Sequence, residues 1–328
     1  MRRARIAGAG MFVPPAVVTN AALAARIGRP VPETVEKNLG IFQHHVTGPG
    51  LSAADLGTKA AEAALESAGI TADEVDLVIV ATDTPEYLSP ATASVVQGRL
   101  GAVNAGTFDL NGACSGFAAA LNLASRMIGY DETYTTAAVI GVYNMTKYVD
   151  QDNEFFGAVF GDGGGALVLK ATAEDAGYLS SVLWADGRYH DYFGVFVGGT
   201  KFPLTVERLE EKQHLLRIDK PYPPDINTAN WPRLVRQALS GAGLTVADID
   251  HIVFTQINRS TIELVMGELG LPMTKTTCTM DKYGYTGSAC IPIALTAALR
   301  AGKIARGDVV VCLGSGVGAA MAAAVFRW

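Results

Sequence analysis

Cysteine is scarce in this chain of 328 residues. The four cysteines are Cys114, Cys278, Cys290 and Cys312, and no two of them have the CxxC spacing of a redox or metal site. This scarcity excludes a disulfide scaffold and predicts a protein of the reducing cytoplasm. Because no Cys/His cluster has the spacing of metal ligands, we also expect no metal and no other resident cofactor.

The chain also lacks an excess of positive charge. The formal net charge is -6 and no run of Lys or Arg stands out, so nucleic acid and anionic membrane surfaces are poor partners. Low-complexity tracts are absent too, and a hydrophobic share of 49% against a charged share of 18% predicts a folded chain with a large core. The N-terminus superficially resembles a signal peptide, but its apolar run stops at Pro14-Pro15, so we interpret it as a first strand.

Only one stretch is long and uncharged enough to raise the question of a membrane span. Residues 309–326 carry no charge over 18 positions, which is near the lower length for a spanning helix. Three glycines, at positions 314, 316 and 318, interrupt it. The pattern therefore predicts two buried strands joined by a glycine turn, and no membrane association.

Strand-like and helix-like segments alternate along the chain, and the pattern repeats. Residues 68–80 match residues 242–254, an offset of 242 − 68 = 174, and the helix after Cys114 and the strand at 137–141 recur near the same offset. One offset over several elements indicates an internal duplication. We predict two similar halves, residues 1–170 and 171–328, each an α/β unit with helices on a mostly parallel sheet. Residues 184–232 interrupt the second half and are interpreted as loops and a helix over a pocket.

The most informative motif is the small-residue elbow at residues 111–117, between a predicted strand at 107–110 and a predicted helix. Cys114 lies where the first N–H groups of that helix have no backbone partner and the helix dipole is positive. Both effects favour a thiolate, so one interpretation is a nucleophile with a lowered pKa. The other is a buried structural cysteine packed beneath the helix.

These features resemble the thiolase superfamily, and within it the β-ketoacyl-ACP synthase III branch. The resemblance rests on the duplicated halves, on residues 113–117 and 314–316, and on shorter matches at 40–41, 80–82, 160–163 and 186–187. It implies a five-layer αβαβα sandwich built from two duplicated halves, usually a homodimer. It also implies that Cys114 takes an acyl group from acyl-CoA or acyl carrier protein, the phosphopantetheine thioester being a substrate rather than a cofactor.

The sequence departs from the family pattern at two catalytic positions. The family has a His and an Asn that help to decarboxylate a malonyl thioester; here Thr255 and Tyr285 stand at those positions. Both side chains carry hydroxyl groups that do not titrate near neutrality. We therefore expect neither of them to act as a general base. The oxyanion hole is assigned to the backbone N–H groups of Cys114 and Ser315. His190, after the Asp-Gly pair at 186–187, is the possible substitute base.

Three functions are compatible with this pattern. The first is an acyltransferase that carries an acyl group on Cys114 and passes it to an acceptor in fatty-acid, polyketide or other secondary-metabolite biosynthesis. The second is an ordinary decarboxylative synthase III with Thr255 and Tyr285 as substitute donors. The third is a poorly active subunit that binds acyl groups or a partner. The intact elbow argues against the third, since an idle site need not keep a strained turn.

Overall fold

Two mixed β-sheets form the centre of the molecule, which is described here over residues 2–328 by a computed structural model. The elements of the N-terminal part are β1 (Arg3–Phe12), β2 (Ala16–Thr19), α1 (Asn20–Ile27), β3 (Gln43–Val46), α2 (Ala53–Ala68), β4 (Leu77–Ala81), α3 (Thr92–Leu100), β5 (Gly106–Leu110), α4 (Gly116–Tyr130), β6 (Thr136–Tyr143), α5 (Phe156–Val159) and β7 (Gly163–Thr172). The first sheet has the order β1-β7-β6-β4-β5, and β2 and β3 form a separate hairpin.

The C-terminal part repeats this plan around a second sheet. Its elements are β8 (Gly177–Ala185), β9 (Phe193–Gly194), α6 (Val206–Glu210), β10 (Arg217–Ile218), α7 (Ile226–Gly241), β11 (His251–Phe254), α8 (Arg259–Leu269), α9 (Met280–Tyr283), α10 (Cys290–Arg300), β12 (Val309–Gly316) and β13 (Ala320–Arg327). The second sheet has the order β11-β12-β13-β8, and β9 pairs with β10.

The two sheets have equivalent topology. In the first, β4 is parallel to β6, and β6 is followed by antiparallel β7 and β1. In the second, β11 is parallel to β12, and β12 is followed by antiparallel β13 and β8. Strand β4 begins at Leu77 and β11 at His251, which are 251 − 77 = 174 positions apart. The predicted duplication is therefore confirmed, whereas the predicted boundary between residues 170 and 171 stays a prediction. The prediction of mostly parallel sheets is wrong, because antiparallel pairs make up half of the first sheet and most of the second.

Helices fill three layers around the sheets. Helices α4 and α10 lie between the sheets and contact strands of both. Helices α2 and α3 cover the outer face of the first sheet, and α7 packs on the second sheet with α8 beside it. The fold is therefore the predicted five-layer αβαβα sandwich, with α4 and α10 as its middle layer.

The sequence signals for helix ends and turns are also confirmed. Ser52 caps α2 in a capping box with Asp55, and Gly69 ends that helix in a left-handed conformation. Residues 309–326 form β12 and β13, with Gly318 at positive φ between them, as the glycine pattern predicted.

Within residues 2–328 no helix has the length and apolar character needed to cross a membrane. The cytoplasmic location stays a prediction.

A buried carboxylate joins three segments of the first half. Asp162 is fully buried, and its Oδ2 accepts hydrogen bonds from the Thr47 N–H at 2.7 Å, the Thr47 hydroxyl at 2.9 Å and the Thr146 hydroxyl. Its Oδ1 accepts from the Thr146 N–H at 3.1 Å. Hydrogen bonds to a charged group contribute more than neutral ones, and both N–H groups lose their partner if the carboxylate is removed.

Asp162→Ala is expected to lower the free energy of unfolding by about 3 kcal/mol or more, because it leaves buried donors unsatisfied. Denaturant unfolding followed by circular dichroism measures this change. The matched control is Asp73→Ala, at an exposed position, for which we expect a change within about 0.5 kcal/mol. Equal stability of the two variants would contradict a structural role for the Asp162 network.

Candidate functional site

The elbow before α4 is tightly bonded. The Asn111 Oδ1 accepts from the Ala113 N–H at 3.0 Å, and the Ser115 hydroxyl donates to the Gly112 carbonyl at 2.6 Å. Ala113 has a φ of 47°, a left-handed conformation that is strained for a residue with a Cβ. Its carbonyl accepts from the hydroxyl of Ser288, at 3.0 Å, so the second half of the chain helps to hold the strained turn. Cys114 is thereby fixed in one orientation.

Strand β12 approaches this elbow backbone to backbone. A Cβ at Gly314 would lie 2.7 Å from the Ser115 Cα, and a Cβ at Gly316 would lie 2.7 Å from the Cys114 nitrogen. Any side chain at these two positions would collide with the elbow. The glycine motif at 314–316 is therefore explained by this close approach, which seals Cys114 from most solvent.

A cavity of about 490 Å³ opens on the exposed side of Cys114. Its wall combines the ends of β4, β6 and β12, the elbow, and the segment between β8 and α7. The polar and ionisable members of the wall are Asp83, Asn111, Cys114, Tyr143, His190, Tyr222, Asn227, Tyr285 and Ser315. Its apolar members include Met145, Phe193, Val195, Phe196, Leu216, Ile226, Ile257, Val317 and Met321. A mostly apolar pocket with a few convergent polar groups is the usual form of a small-molecule site.

The predicted lowering of the Cys114 pKa is wrong. Burial and, next, the nearby Asp83 carboxylate raise the pKa of this thiol well above its ordinary value, and hydrogen bonding from Tyr285 offsets only part of that rise. A helix dipole stabilises an anion by roughly 0.3–1 kcal/mol, whereas full burial shifts a pKa by up to about 3–5 units. Cys114 is consequently a neutral thiol, and an acyl-transfer step at its sulfur requires a group that accepts the proton.

Tyr285 lies directly beside the sulfur. It follows α9, and its ring packs against Tyr143 and Phe160 with centroid distances of 5.9 and 5.8 Å. The Tyr285 N–H donates to the Val159 carbonyl at 2.8 Å, which ties this loop to the first half. Burial raises the pKa of Tyr285 well above its ordinary value, so its hydroxyl stays a neutral hydrogen-bond donor toward Cys114.

Thr255 is not part of the cavity wall. Its hydroxyl accepts from the Ser315 N–H at 2.8 Å and donates to the Ser315 carbonyl at 3.4 Å, so it is bound to the backbone of β12. The Ser315 N–H, predicted as an oxyanion donor, is occupied by this bond. The Ser315 hydroxyl faces the cavity, where it donates to the Asn227 Oδ1 at 2.9 Å. The structure thus brings Cys114 and Tyr285 together and sets Thr255 behind Ser315.

The histidines have different surroundings. His190 lies exposed at the cavity, with its Nδ1 at 3.1 Å from the Gly187 carbonyl oxygen. His44 and His251 lie outside the wall, and burial lowers the pKa of each to about 4. Of the five histidines, therefore, His190 alone shares the cavity with Cys114.

Asp83 is a cavity residue that the sequence prediction missed. It lies two residues after the end of β4, and β4 is the parallel neighbour of β5, whose end leads to Cys114. Burial raises the pKa of its carboxyl group to about 6. The signal was available, because side chains that follow adjacent parallel strands gather at the same sheet edge. Asn227, on α7, was also missed, because residues 184–232 were interpreted as an insert. Helix α7 begins 226 − 53 = 173 positions after α2 and is its counterpart in the repeat, so the predicted insert extends too far.

Comparison with known proteins identifies the family. The family model described as 3-Oxoacyl-[acyl-carrier-protein (ACP)] synthase III matches residues 108–187, and the model of its C-terminal part matches residues 239–328. The β-ketoacyl-[acyl-carrier-protein] synthase III of Symbiobacterium thermophilum is 37% identical over 328 residues, covering 100% of this chain and 99% of that protein. The protein of the same name from Rhodospirillum centenum is 38% identical, with 99% of each chain covered.

Solved structures agree with this assignment. The 3-oxoacyl-[acyl-carrier-protein] synthase III of Aquifex aeolicus superimposes with a TM-score of 0.88 at 27% identity, covering 99% of this chain and 100% of that one. The synthase III of Thermus thermophilus gives 0.87 at 31% identity, with 99% of each chain covered. The priming β-ketosynthase of the R1128 polyketide pathway gives 0.88 at 27% identity, covering 98% and 95%. The chain therefore belongs to the β-ketoacyl-ACP synthase III family of the thiolase superfamily, a class of acyl-transferring condensing enzymes.

Proposed function

We propose that this protein is a thioester-dependent acyltransferase that does not decarboxylate malonyl groups efficiently. Cys114 accepts an acyl group from acyl-CoA or acyl carrier protein and passes it to an acceptor in fatty-acid, polyketide or another secondary-metabolite pathway. The observation that carries this proposal is the composition of the cavity wall around Cys114: a phenol from Tyr285 lies there, and Thr255 is turned away.

Acylation of Cys114 uses groups that the site retains. The sulfur attacks the thioester carbonyl, the donor's C–S bond breaks, and the proton of the Cys114 thiol ends on the departing carrier thiol. An oxyanion forms in this step and is stabilised by preorganised backbone N–H groups. We assign these to Cys114 and, because the Ser315 N–H is already bonded, to the next residue, Gly316, whose backbone lies against the Cys114 nitrogen.

Malonyl decarboxylation makes a greater demand on the site. The thioester oxygen becomes an enolate, which is stabilised best by two donors, each worth about 3 kcal/mol. Tyr285 supplies one neutral hydroxyl, and the hydroxyl of Thr255 is engaged with Ser315. The enolate therefore has one side-chain donor where the family pattern provides an imidazole and an amide.

Decarboxylative condensation is the second candidate, and two observations favour it. The relatives at 37–38% identity are named β-ketoacyl-ACP synthases, and the Tyr285 hydroxyl reaches Cys114. In that reaction Tyr285 and a repositioned Thr255 hold the enolate, with His190 as the substitute base. The third candidate, a poorly active acyl-binding subunit, is disfavoured by the strain kept at Ala113, because strain of this kind persists where a site uses it.

Incubation with a panel of acyl-CoA and acyl-carrier thioesters should acylate Cys114 and none of the other cysteines. Cys290 and Cys312 are sealed in the core, whereas Cys114 lines the cavity. Intact-protein mass spectrometry reads the added mass, which also identifies the donor. Cys114→Ala should show no adduct, whereas Cys278→Ala, the matched control at the partly exposed cysteine, should be acylated normally. An adduct that persists in Cys114→Ala refutes the assignment.

The unmodified protein should self-acylate yet release little carbon dioxide from malonyl thioesters. Loss of an imidazole and an amide donor, partly replaced by a phenol, slows decarboxylation on the order of 10⁴-fold. Release of labelled carbon dioxide from malonyl-CoA and malonyl-acyl carrier protein measures this rate. The double variant Thr255→His with Tyr285→Asn should raise it. Rapid release by the unmodified protein would support the decarboxylative candidate instead.

A homodimer is the expected assembly. Strand β5 is the last strand of its sheet and leaves a free edge, and the nearby loop exposes Tyr87 at 53% and Leu88 at 88%. The same loop resembles the region with which the family dimerises. Multi-angle light scattering at micromolar concentration should give twice the chain mass of 34.4 kDa. Leu88→Asp should weaken the dimer, whereas Leu264→Asp, exposed on α8, should not; a monomeric parent chain would refute the expectation.

A further inference from the structure

Asp83 is an acidic side chain held rigidly in the wall of the Cys114 cavity. Its neighbours fix the backbone on both sides: the Thr84 N–H donates to the Thr82 hydroxyl at 3.0 Å, and the Thr84 hydroxyl accepts from the Asn144 N–H at 2.9 Å. Neither threonine hydroxyl bonds to the carboxylate. The Asp83 Oδ1 is buried and has no hydrogen-bond partner within residues 2–328.

No cation compensates this carboxyl group. The described wall of the cavity contains neither lysine nor arginine, and its only basic side chain is His190, which is exposed. A buried carboxyl oxygen without a partner costs free energy, and such groups in folded proteins call for a functional or bound-ligand explanation. Because Asp83 lines the cavity, a ligand bound there that donates an O–H or N–H hydrogen bond to its carboxyl group would offset this cost.

We propose that Asp83 is the proton acceptor for an alcohol or amine that attacks the acyl group on Cys114. The inference rests on the proposed acyltransferase function and names the chemical class of its acceptor. The nucleophilic oxygen or nitrogen forms a bond to the acyl carbon, and its proton passes to the Asp83 carboxylate. The C–S bond to Cys114 then breaks, and the proton moves from Asp83 to the sulfur, which restores the neutral thiol and the carboxylate.

The same carboxylate selects against an anionic acceptor. A malonyl carboxylate or an enolate entering this cavity meets a like charge in a poorly solvated site, which raises its free energy. A neutral alcohol or amine meets a hydrogen-bond acceptor instead. The charge of Asp83 therefore favours oxygen or nitrogen acceptors over malonyl carbon.

The other titratable groups that face this cavity are Cys114, Tyr143, Tyr222, Tyr285 and His190. Burial raises the pKa of all three tyrosines and of the thiol above their ordinary values, and the Asp83 charge adds to the rise for Tyr143 and Cys114. These four groups stay neutral around pH 6, where Asp83 itself changes charge with a pKa of about 6. A step in rate near that pH is therefore assigned to Asp83, and a His190→Gln variant tests this assignment against the only basic side chain of the described cavity wall.

The first test uses p-nitrophenyl acetate, which acetylates a cysteine without recognition of a carrier. After removal of the reagent, the acetyl mass on Cys114 is followed by mass spectrometry with methanol as the acceptor, on both sides of pH 6. Decay should accelerate as pH rises through about 6 and then level off, because only the carboxylate accepts a proton. Asp83→Asn should slow decay by about 10²-fold and abolish the step, as expected for loss of a general base.

Asp281→Asn is the matched control, since this aspartate has a buried Oδ1 without a partner but lies outside the cavity wall. It should keep both the rate and the step, and the step should also remain in His190→Gln. Unchanged decay in Asp83→Asn overturns the proposal, and so does a step that disappears in His190→Gln. The step in the unmodified protein requires no variant, so its absence refutes the proposal even if Asp83→Asn folds poorly.

The second test does not depend on acyl transfer. Alkylation of Cys114 by iodoacetamide, mapped by peptide mass spectrometry at one fixed pH, should be several-fold faster in Asp83→Asn, because removal of the carboxylate lowers the thiol pKa. An unchanged rate overturns the electrostatic coupling of Asp83 to the Cys114 thiol. Faster alkylation together with no labelling by any carrier thioester would instead contradict the proposed function and leave the Asp83–Cys114 coupling intact.

Discussion

The close approach of β12 to the elbow before α4 is the constraint on which the site depends. Gly314 and Gly316 leave no space for a side chain, so two backbones from different halves of the duplication meet around Cys114. Cys114 therefore lies at the start of α4, in the middle layer of the sandwich, and lines the cavity of about 490 Å³. Its pKa, its neighbours and its access route all follow from that position. At an exposed helix N-terminus the dipole would lower the pKa of a thiol, because no burial would oppose it.

Burial keeps most of the ionisable groups of this cavity neutral. The thiol and the surrounding tyrosines are neutral because desolvation raises each pKa, and Asp83 is the group whose charge changes near neutrality. A proton that passes between two groups of this cavity leaves the net charge of the cavity unchanged, so no additional charge has to be buried. Stabilising a carbanion requires donors aimed at one oxygen, and here the hydroxyl of Thr255 is bonded to the β12 backbone instead.

The sequence predicted the fold well, because the repeat offset and the apolar strands depend on local patterns. The strands beginning at Leu77 and His251, the cap at Ser52 and the elbow at Cys114 were all visible as patterns of residue type. The charge state of Cys114 was mispredicted, because desolvation is a property of the packed molecule. For the same reason the sequence showed Thr255 at a family position but could not show that its hydroxyl faces Ser315. Asp83 was overlooked because a single acidic residue after a strand is compatible with many roles until its neighbours in the fold are known.

The insert between β8 and α7 lines the cavity but takes no part in the pairing of the two main sheets. Phe193, Phe196, Leu216 and Tyr222 come from it and form much of the cavity wall, while the Tyr222 hydroxyl accepts from the Gly318 N–H at 2.9 Å and so anchors the insert to the β12–β13 turn. The duplicated sandwich does not need the insert for its sheet pairing. Evolution can therefore change the shape of this cavity by exchanging one loop, and leave the elbow at Cys114 and the sheet pairing in place. An engineer who grafts this loop from a relative has the same freedom.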